Sequence, residues 1–284
     1  MKFAKAQGAG NDFILIEDLK NKLSFSSEWV GGICDRHFGI GADGLMIIRP
    51  SQKADFSMIF FNPDGSRAEM CGNGIRCFAK YLYDHGLTKK RKVSIETMAG
   101  IKQVALIVDS GRATGASVDM GVPSFRPSDM PMKSKKEAIG KLLEINREKF
   151  RVTCLSVGNP HCVIFVEEVS DAPVRTLGPV VENWPIFPQK TNVEFAEVVN
   201  PTEMRVRVWE RGAGETLACG TGACAALVAA ARNGLTKRGA TIHLPGGDLH
   251  VEWSEDDHIY LTGPAEEVFT GEIPQTGPKK LEEE

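Results

Sequence analysis

The chain has no excess of positive charge and no long hydrophobic run. Lys and Arg total 34 against 37 Asp and Glu, and the net charge is -3. A chain with this charge has no net electrostatic attraction to nucleic acid or anionic lipid. The longest apolar run, Ala223 to Ala231, is about half of what a bilayer span needs, and Phe13 to Ile16 is too short for a signal peptide. We therefore expect a cytoplasmic protein that binds a small molecule, without a nucleic-acid or membrane partner.

Cysteine is also scarce and irregular. Seven cysteines form neither a dense nor an even set, so the sequence lacks a disulfide framework and suits a reducing compartment. What the chain does have is 42% apolar residues and 29 Gly, which indicate a globular protein with many tight turns.

Two short segments of the sequence repeat. Cys71-Gly72-Asn73-Gly74 and Cys219-Gly220-Thr221-Gly222 lie 148 residues apart. The same shift carries Gly10-Asn11 onto Gly158-Asn159, and Gly86 to Lys89 onto Gly234 to Lys237. Three blocks at one offset predict two homologous halves.

Each half is predicted to contain several strands and a main helix. After each Cys-Gly-x-Gly segment, apolar residues recur at three and four positions, which is typical of a helix with one buried stripe, and Gly86 and Gly234 suit its C-terminal cap. A second helix is predicted over Ser27 to His37, a crossing between halves over Val122 to Pro131, and a helix or loop over Lys133 to Lys149. The polar tail Pro278 to Glu284 is expected to fray. The predicted strands are Phe13 to Ile16, Gly44 to Arg49, Ile59 to Phe61, Lys92 to Glu96, Lys102 to Val108, Val152 to Val157, His161 to Ile164, Asn192 to Val198, Arg207 to Trp209, Leu249 to Trp253 and Ile259 to Thr262.

The two repeated cysteines are the candidate catalytic residues. A thiol at a helix N-terminus faces free N-H groups and the positive end of the helix dipole, which lower a thiol pKa, and the neighbouring glycines let an anion approach. Cys71 and Cys219 could therefore address one carbon from opposite faces, as a coupled acid and base that removes a proton next to a carboxylate.

The other five cysteines are not catalytic candidates. Cys34, Cys77, Cys154, Cys162 and Cys224 are interpreted as small buried hydrophobic residues. The spacings of Cys71 from Cys77 and of Cys219 from Cys224 place neither pair on one helix face, so we expect no metal site.

The polar candidates suit a ligand with both a carboxylate and an ammonium group. Arg211 can bind a carboxylate and Glu210 can accept from an ammonium group, whereas the alternative is an ordinary surface ion pair, the default for a Glu-Arg found elsewhere in a sequence. Asn11, Asn159 and Asn192 could equally stabilise turns, and His161 could be a structural histidine.

Several segments resemble the diaminopimelate epimerase family. They are Gly8 to Phe13, Phe61 to Ser66, Met70 to Cys77, Gly158 to Cys162, Glu210 to Thr216 and Ala218 to Ala223, with Leu244 to Gly247 near the end. The resemblance implies cofactor-independent interconversion of LL- and meso-2,6-diaminopimelate, in lysine and cell-wall precursor synthesis. The expected partners are this amino acid and a second copy of the chain.

The resemblance also implies roles for individual residues. Cys71 and Cys219 correspond to the acid and base, and His161 and Glu210 to residues that tune the thiols. The implied contacts to substrate are Asn11, Asn62, Gly72, Asn73, Asn159, Asn192, Glu210, Arg211, Gly220 and Thr221. One departure is Gly44, where many members carry Gln, so no side-chain contact is expected from that position.

The fold class that follows is α/β (α+β), with two pseudo-symmetric domains that arise from an internal duplication. Each domain is expected to be a β-barrel-like sheet around a central helix. The first would comprise residues 1–120 plus 266–276, because the family returns its C-terminal strand to that domain, and the second would comprise residues 121–265.

Three other functions are consistent with a cysteine pair. A proline racemase-like or hydroxyproline epimerase enzyme would use similar thiols, but the Glu210-Arg211 pair suits a second amino-carboxylate group better. A thiol redox protein would lose activity in reductant, whereas an epimerase would keep it. A noncatalytic amino-acid binder would tolerate Cys71→Ser.

Overall fold

The computed structural model describes residues 1–145 and 148–273 of the chain. This part is mixed α/β and mostly strands. Its helices are α1 (Ser27–Cys34), α2 (Gly72–Asp84), α3 (Val174–Glu182) and α4 (Gly220–Arg232), with a short 3-10 helix at Pro127–Asp129. Its strands are β1 (Lys2–Gly8), β2 (Asn11–Glu17), β3 (Leu45–Arg49), β4 (Phe56–Phe61), β5 (Arg67–Ala68), β6 (Lys92–Thr97), β7 (Gly100–Asp109), β8 (Arg112–Gly121), β9 (Lys141–Ile145), β10 (Glu148–Ser156), β11 (Pro160–Phe165), β12 (Asn192–Asn200), β13 (Glu203–Glu210), β14 (Gly214–Thr216), β15 (Gly239–Leu244), β16 (Gly247–Trp253), β17 (Ile259–Pro264) and β18 (Glu266–Glu272).

The chain divides into two compact units. Among the described residues, the first is formed by Met1–Val118 and residues 263–273, and the second is Asp119–Thr262. Within the described residues, no helix is both long and apolar enough to span a lipid bilayer.

The strands of the first unit pair in the order β1, β2, β3, β4, β6, β7, β8. The successive pairings are antiparallel, parallel, antiparallel, parallel, antiparallel and antiparallel. Strand β18 lies antiparallel to the other side of β1. Helix α2 packs against β1, β2, β3, β7 and β18.

The second unit repeats this order of pairings. Strands β10, β11, β12, β13, β15 and β16 pair in the same alternation, and β17 follows antiparallel to β16. Helix α4 packs against β10, β11, β12, β13, β15 and β16. The two copies of the repeated segment therefore begin equivalent helices on equivalent sheets.

Central strands of the first unit are buried on both faces, which explains their continuous apolar sequence. Phe13 and Met46 face the first turn of α2, where a Cβ on Gly74 would overlap the Met46 methyl group. Ile14, Leu45 and other side chains on the opposite face pack against α1. In the second unit an equivalent core lies between α3 and the strands β10 to β13.

The predicted strands are confirmed, as are the two main helices and the positive φ of Gly86 and Gly234 at their ends. The second helix is shorter than predicted. It ends at Cys34 because the Asp35 carboxylate accepts hydrogen bonds from the N-H groups of His37 and Phe38 and turns the chain.

The prediction of a helix or loop over Lys133 to Lys149 is wrong in its second half. Lys141–Ile145 forms β9, which pairs antiparallel with β10. A strand pairing with a neighbour overrides the helical preference of a short charged segment. The predicted frayed tail, Pro278 to Glu284, lies outside the described residues.

Candidate active site

Cys71 is the N-cap residue of α2. Its backbone is extended, with φ -131° and ψ 121°, and the Gly74 N-H donates a hydrogen bond to Sγ at 3.4 Å. A cysteine sulfur thus occupies the place of the usual Ser or Asp oxygen at a helix N-terminus. The first turn behind it, with Gly72 and Asn73, is buried.

Asn11, the first residue of β2, contacts this thiol. The Cys71 S-H donates to Asn11 Oδ1 at 3.4 Å, and Asn11 Nδ2 donates to Asp43 Oδ2 at 2.6 Å. Arg36 bridges Asp43 and Asp12 with two contacts of 2.7 Å. Burial raises the pKa of Asp12, but hydrogen bonds from Arg36 and Lys5 outweigh it and hold this pKa far below its usual range.

The other predicted residues of the first unit lie in the adjacent turns. Asn62 follows β4, and its side chain donates to Ser66 Oγ at 3.0 Å within its own turn. At Gly44, a Cβ would lie 2.7 Å from the Phe61 carbonyl oxygen. Backbone contact at this distance explains a glycine at the residue before β3.

Cys219 is the N-cap residue of α4, with nearly the same backbone. Its φ is -119° and its ψ 113°, and the Gly222 N-H donates to Sγ at 3.3 Å. The Thr221 hydroxyl lies 3.4 Å from the sulfur. Cys219 is only 6% exposed, so its surroundings are drier than those of half-buried Cys71.

The prediction that the helix N-terminus lowers the thiol pKa is wrong for Cys219. Burial raises the pKa of Cys219 well above its usual range, and the carboxylates of Glu210 and Glu194 raise it further. The hydrogen bonds from Thr221 and the Gly222 N-H act in the opposite direction but do not compensate. Low local polarity disfavours the thiolate more than the helix end favours it.

A chain of hydrogen bonds runs from Cys219 through three predicted residues to a fourth that sequence reasoning missed. Asn159 Nδ2 donates to Thr221 Oγ1 at 3.3 Å, and Asn159 Oδ1 lies 2.8 Å from His161 Nε2. His161 Nδ1 lies 2.7 Å from Glu194 Oε1, and both side chains are fully buried. Burial raises the pKa of Glu194, partly offset by His161.

Glu210, at the end of β13, is hydrogen-bonded to the Cys219 side chain. The Thr216 hydroxyl also donates to Glu210 Oε1 at 2.5 Å. Burial raises the pKa of Glu210, although these hydrogen bonds partly lower it. Glu210 therefore lies where it can exchange a proton with the Cys219 thiol or change the pKa of that thiol.

Arg211 directs its side chain outward, and its backbone is held by Asn192. The Arg211 N-H donates to Asn192 Oδ1 at 2.9 Å, and Asn192 Nδ2 donates to the Pro160 carbonyl at 2.9 Å. Arg211 is exposed, and its guanidinium donates to the Gln189 carbonyl at 3.4 Å. This leaves a cation at the surface, at the residue that follows Glu210 in the sequence.

Glu182 also supports this loop and was missed from the sequence. It accepts from Trp209 Nε1 at 2.8 Å and from the Gly212 N-H at 3.0 Å. Although burial raises the pKa of Glu182, these hydrogen bonds outweigh it and the pKa lies below its usual value. A buried carboxylate at the last residue of α3 opposes the helix dipole, so its contacts must compensate.

The remaining five cysteines are buried, as predicted. Burial raises the pKa of Cys34 to about 11 and that of Cys77 to about 12. Within residues 1–145 and 148–273, no group of three or more His, Cys, Asp or Glu side chains is arranged to hold a metal ion.

The chain is similar to known proteins along most of its length. The sequence model of the family described as diaminopimelate epimerase matches residues 3–126 and 153–268. A diaminopimelate epimerase of Pelotomaculum thermopropionicum is 52% identical over 278 residues, covering 96% of this chain and 99% of the relative. One from Moorella thermoacetica is 52% identical over 277 residues, with 96% and 99% covered.

Among solved structures, a probable proline racemase from Agrobacterium radiobacter K84 has a similar fold. The TM-score is 0.70 with 14% identity, over 96% of this chain and 93% of that one. At this identity the likeness concerns the fold alone.

Proposed function

The chain belongs to the diaminopimelate epimerase family, and on that premise we propose that it interconverts LL- and meso-2,6-diaminopimelate. This reaction serves the synthesis of lysine and of cell-wall precursors. The observation that carries the proposal is the pair of N-cap cysteines, Cys71 and Cys219, each with an N-H group of its own helix directed at Sγ.

The chemistry is a proton transfer at one carbon with no net oxidation. One cysteine thiolate removes the α-proton, so a C-H bond breaks, an S-H bond forms, and the electron pair moves toward the carboxylate. The other thiol then delivers its proton to the opposite face, which restores the C-H bond with inverted configuration. Donors at Gly72, Asn73, Gly220 and Thr221 stabilise the charge that develops on the carboxylate.

The substrate contacts are assigned by the same reasoning. Arg211 binds a carboxylate in two parallel hydrogen bonds, and Glu210 accepts from an ammonium group. The amides of Asn11, Asn62, Asn159 and Asn192 supply further polar contacts. His161 and Glu210 tune Cys219, which is supported by the hydrogen bonds that link them to this thiol directly or through Asn159 and Thr221.

The repeated order of strand pairing supports an origin by internal duplication. We propose two pseudo-symmetric domains, residues 1–120 with 266–276 and residues 121–265, each a barrel-like sheet around α2 or α4. The packing of each helix against at least five strands of its own unit supports this description. The cytoplasmic location and the homodimer stay predictions from the sequence.

The proposal is tested with alanine variants of the two thiols. Cys71→Ala and Cys219→Ala should each reduce epimerisation of LL-diaminopimelate by more than about a thousandfold, because each removes an acid or base. The rate is measured without added pyridoxal phosphate or metal and with reductant present.

Matched controls come from the same two helices. Cys77→Ala and Cys224→Ala remove buried thiols and should keep most of the activity. Near-normal rates in both Cys71→Ala and Cys219→Ala would refute the mechanism. Turnover of proline in place of diaminopimelate would refute the choice of substrate.

A further inference from the structure

Asp43, which the proposed mechanism does not use, is linked to Cys71 through the side chain of Asn11. Its Oδ2 accepts from Asn11 Nδ2 at 2.6 Å, and the same carboxamide accepts the Cys71 S-H through Oδ1 at 3.4 Å. Asp43, Asn11 and Cys71 therefore form one line of hydrogen bonds within the first unit.

The direction of these hydrogen bonds follows from the chemistry of the groups. An ionised carboxylate only accepts, so the amide nitrogen of Asn11 must face Asp43 and its oxygen must face the cysteine. The reverse orientation would bring two acceptor oxygens to 2.6 Å. A carboxamide oxygen also only accepts, so the sulfur it faces must carry a proton to form the hydrogen bond.

Asp43 is itself held in place from several sides. Its Oδ2 accepts from the Asp12 N-H at 3.1 Å, its Oδ1 accepts from Arg36 at 2.7 Å, and its own N-H donates to Asp12 Oδ1 at 3.0 Å. The next residue, Gly44, packs closely against β4. These contacts give the carboxylate a fixed position.

We propose that Asp43 is a positioning residue, which fixes the Asn11 carboxamide so that its oxygen holds Cys71 as the protonated thiol before substrate binds. The Gly74 N-H and the helix end favour the thiolate, and the Asn11 oxygen opposes them. The proposal rests on the proposed function for the role of Cys71 in proton transfer.

Asp43→Asn tests this directly. An Asn side chain at position 43 can donate to Asn11 Oδ1, so the Asn11 carboxamide can turn its nitrogen toward Cys71 and stabilise the thiolate. The pH midpoint for alkylation of Cys71 by iodoacetamide, followed on the peptide that contains it, should fall by about one unit. This readout does not require turnover, so it stays informative whatever the substrate proves to be.

Asp12→Asn is the matched control. It removes the same charge from the same cluster, which also contains Lys5 and Arg36. The Asp12 carboxylate, however, bonds to Lys5, Arg36 and the Asp43 N-H rather than to the Asn11 carboxamide. The midpoint for Cys71 should shift by less than about half as much as in Asp43→Asn. Arg76, a further charged residue of α2, donates to the carbonyls of Gly72 and Pro264. Its charge is present in both variants, so it does not contribute to the difference between them.

Asn11→Ala is a second test, and its result does not depend on whether the Asp43→Asn protein folds correctly. Removing the acceptor should by itself lower the midpoint for Cys71. In the Asn11→Ala protein, adding Asp43→Asn should shift the pH midpoint for Cys71 no more than adding Asp12→Asn does. Equal shifts in Asp43→Asn and Asp12→Asn, or a full Asp43→Asn shift without Asn11, would overturn the proposal.

Discussion

The turns at Cys71 and Cys219 share a backbone but differ in what surrounds the sulfur. Both cysteines cap a thirteen-residue helix and accept from the N-H three residues later. Cys71 is half-buried beside an amide and a cluster of ion pairs, whereas Cys219 is buried beside Glu210 and within the influence of Glu194. The duplicated sequence thus sets the geometry of each thiol, and unrepeated neighbours set its acidity.

The helices behind the two turns differ in the same way. The second turn of α2 contains the buried Arg76, whose guanidinium donates to the Gly72 carbonyl at 3.0 Å. In α4 the corresponding stretch is composed of small apolar residues, with Ala225, Ala226 and their neighbours fully buried. The two copies of the duplicated fold therefore keep the same helix cap, while the residues behind it differ in polarity.

The largest expected difference between the two thiols is in their reactivity. Cys71 should be alkylated by iodoacetamide about tenfold faster than Cys219 at neutral pH, because Cys219 is buried and its thiolate is disfavoured. The rates are read separately on the two cysteine-containing peptides. Urea-unfolded protein is the control, in which both cysteines should react at the same rate. Equal rates in the folded protein would contradict the predicted difference between the two thiols.

A smaller effect is expected when one carboxylate near Cys219 is neutralised. Glu194→Gln should lower the pH midpoint for alkylation of Cys219 by about half a unit, because the carboxylate raises the pKa of this thiol. The Gln amide can still donate to His161 Nδ1. The midpoint for Cys71 serves as the internal control, and an unchanged or raised Cys219 midpoint would show that the acidity of this thiol is set elsewhere.

The parts predictable from the sequence were those that depend on local pattern. The equal spacing of the two Cys-Gly-x-Gly segments predicted both helices, their first residues and their terminal glycines. A shared offset carries this information because it compares the chain with itself and needs no knowledge of distant contacts.

The parts that were not predictable depend on partners brought together by folding. Glu194 is a charged residue in an otherwise buried strand, a signal that was present but has meaning only beside His161. Asp43 and Glu182 gain their roles from Asn11 and Gly212, which lie about thirty residues away in the chain. Helix α3 contains Pro179, which obscures its helical pattern.

The central claim, that two different thiols exchange protons with one carbon, is tested most directly in deuterium oxide. LL-diaminopimelate is converted to a low extent, and both the product and the recovered substrate are analysed for deuterium at the α-carbons. We expect one deuterium at the inverted centre of the meso product and almost none in the recovered LL substrate. Product without deuterium, or substrate that gains it as fast as product forms, would contradict the account.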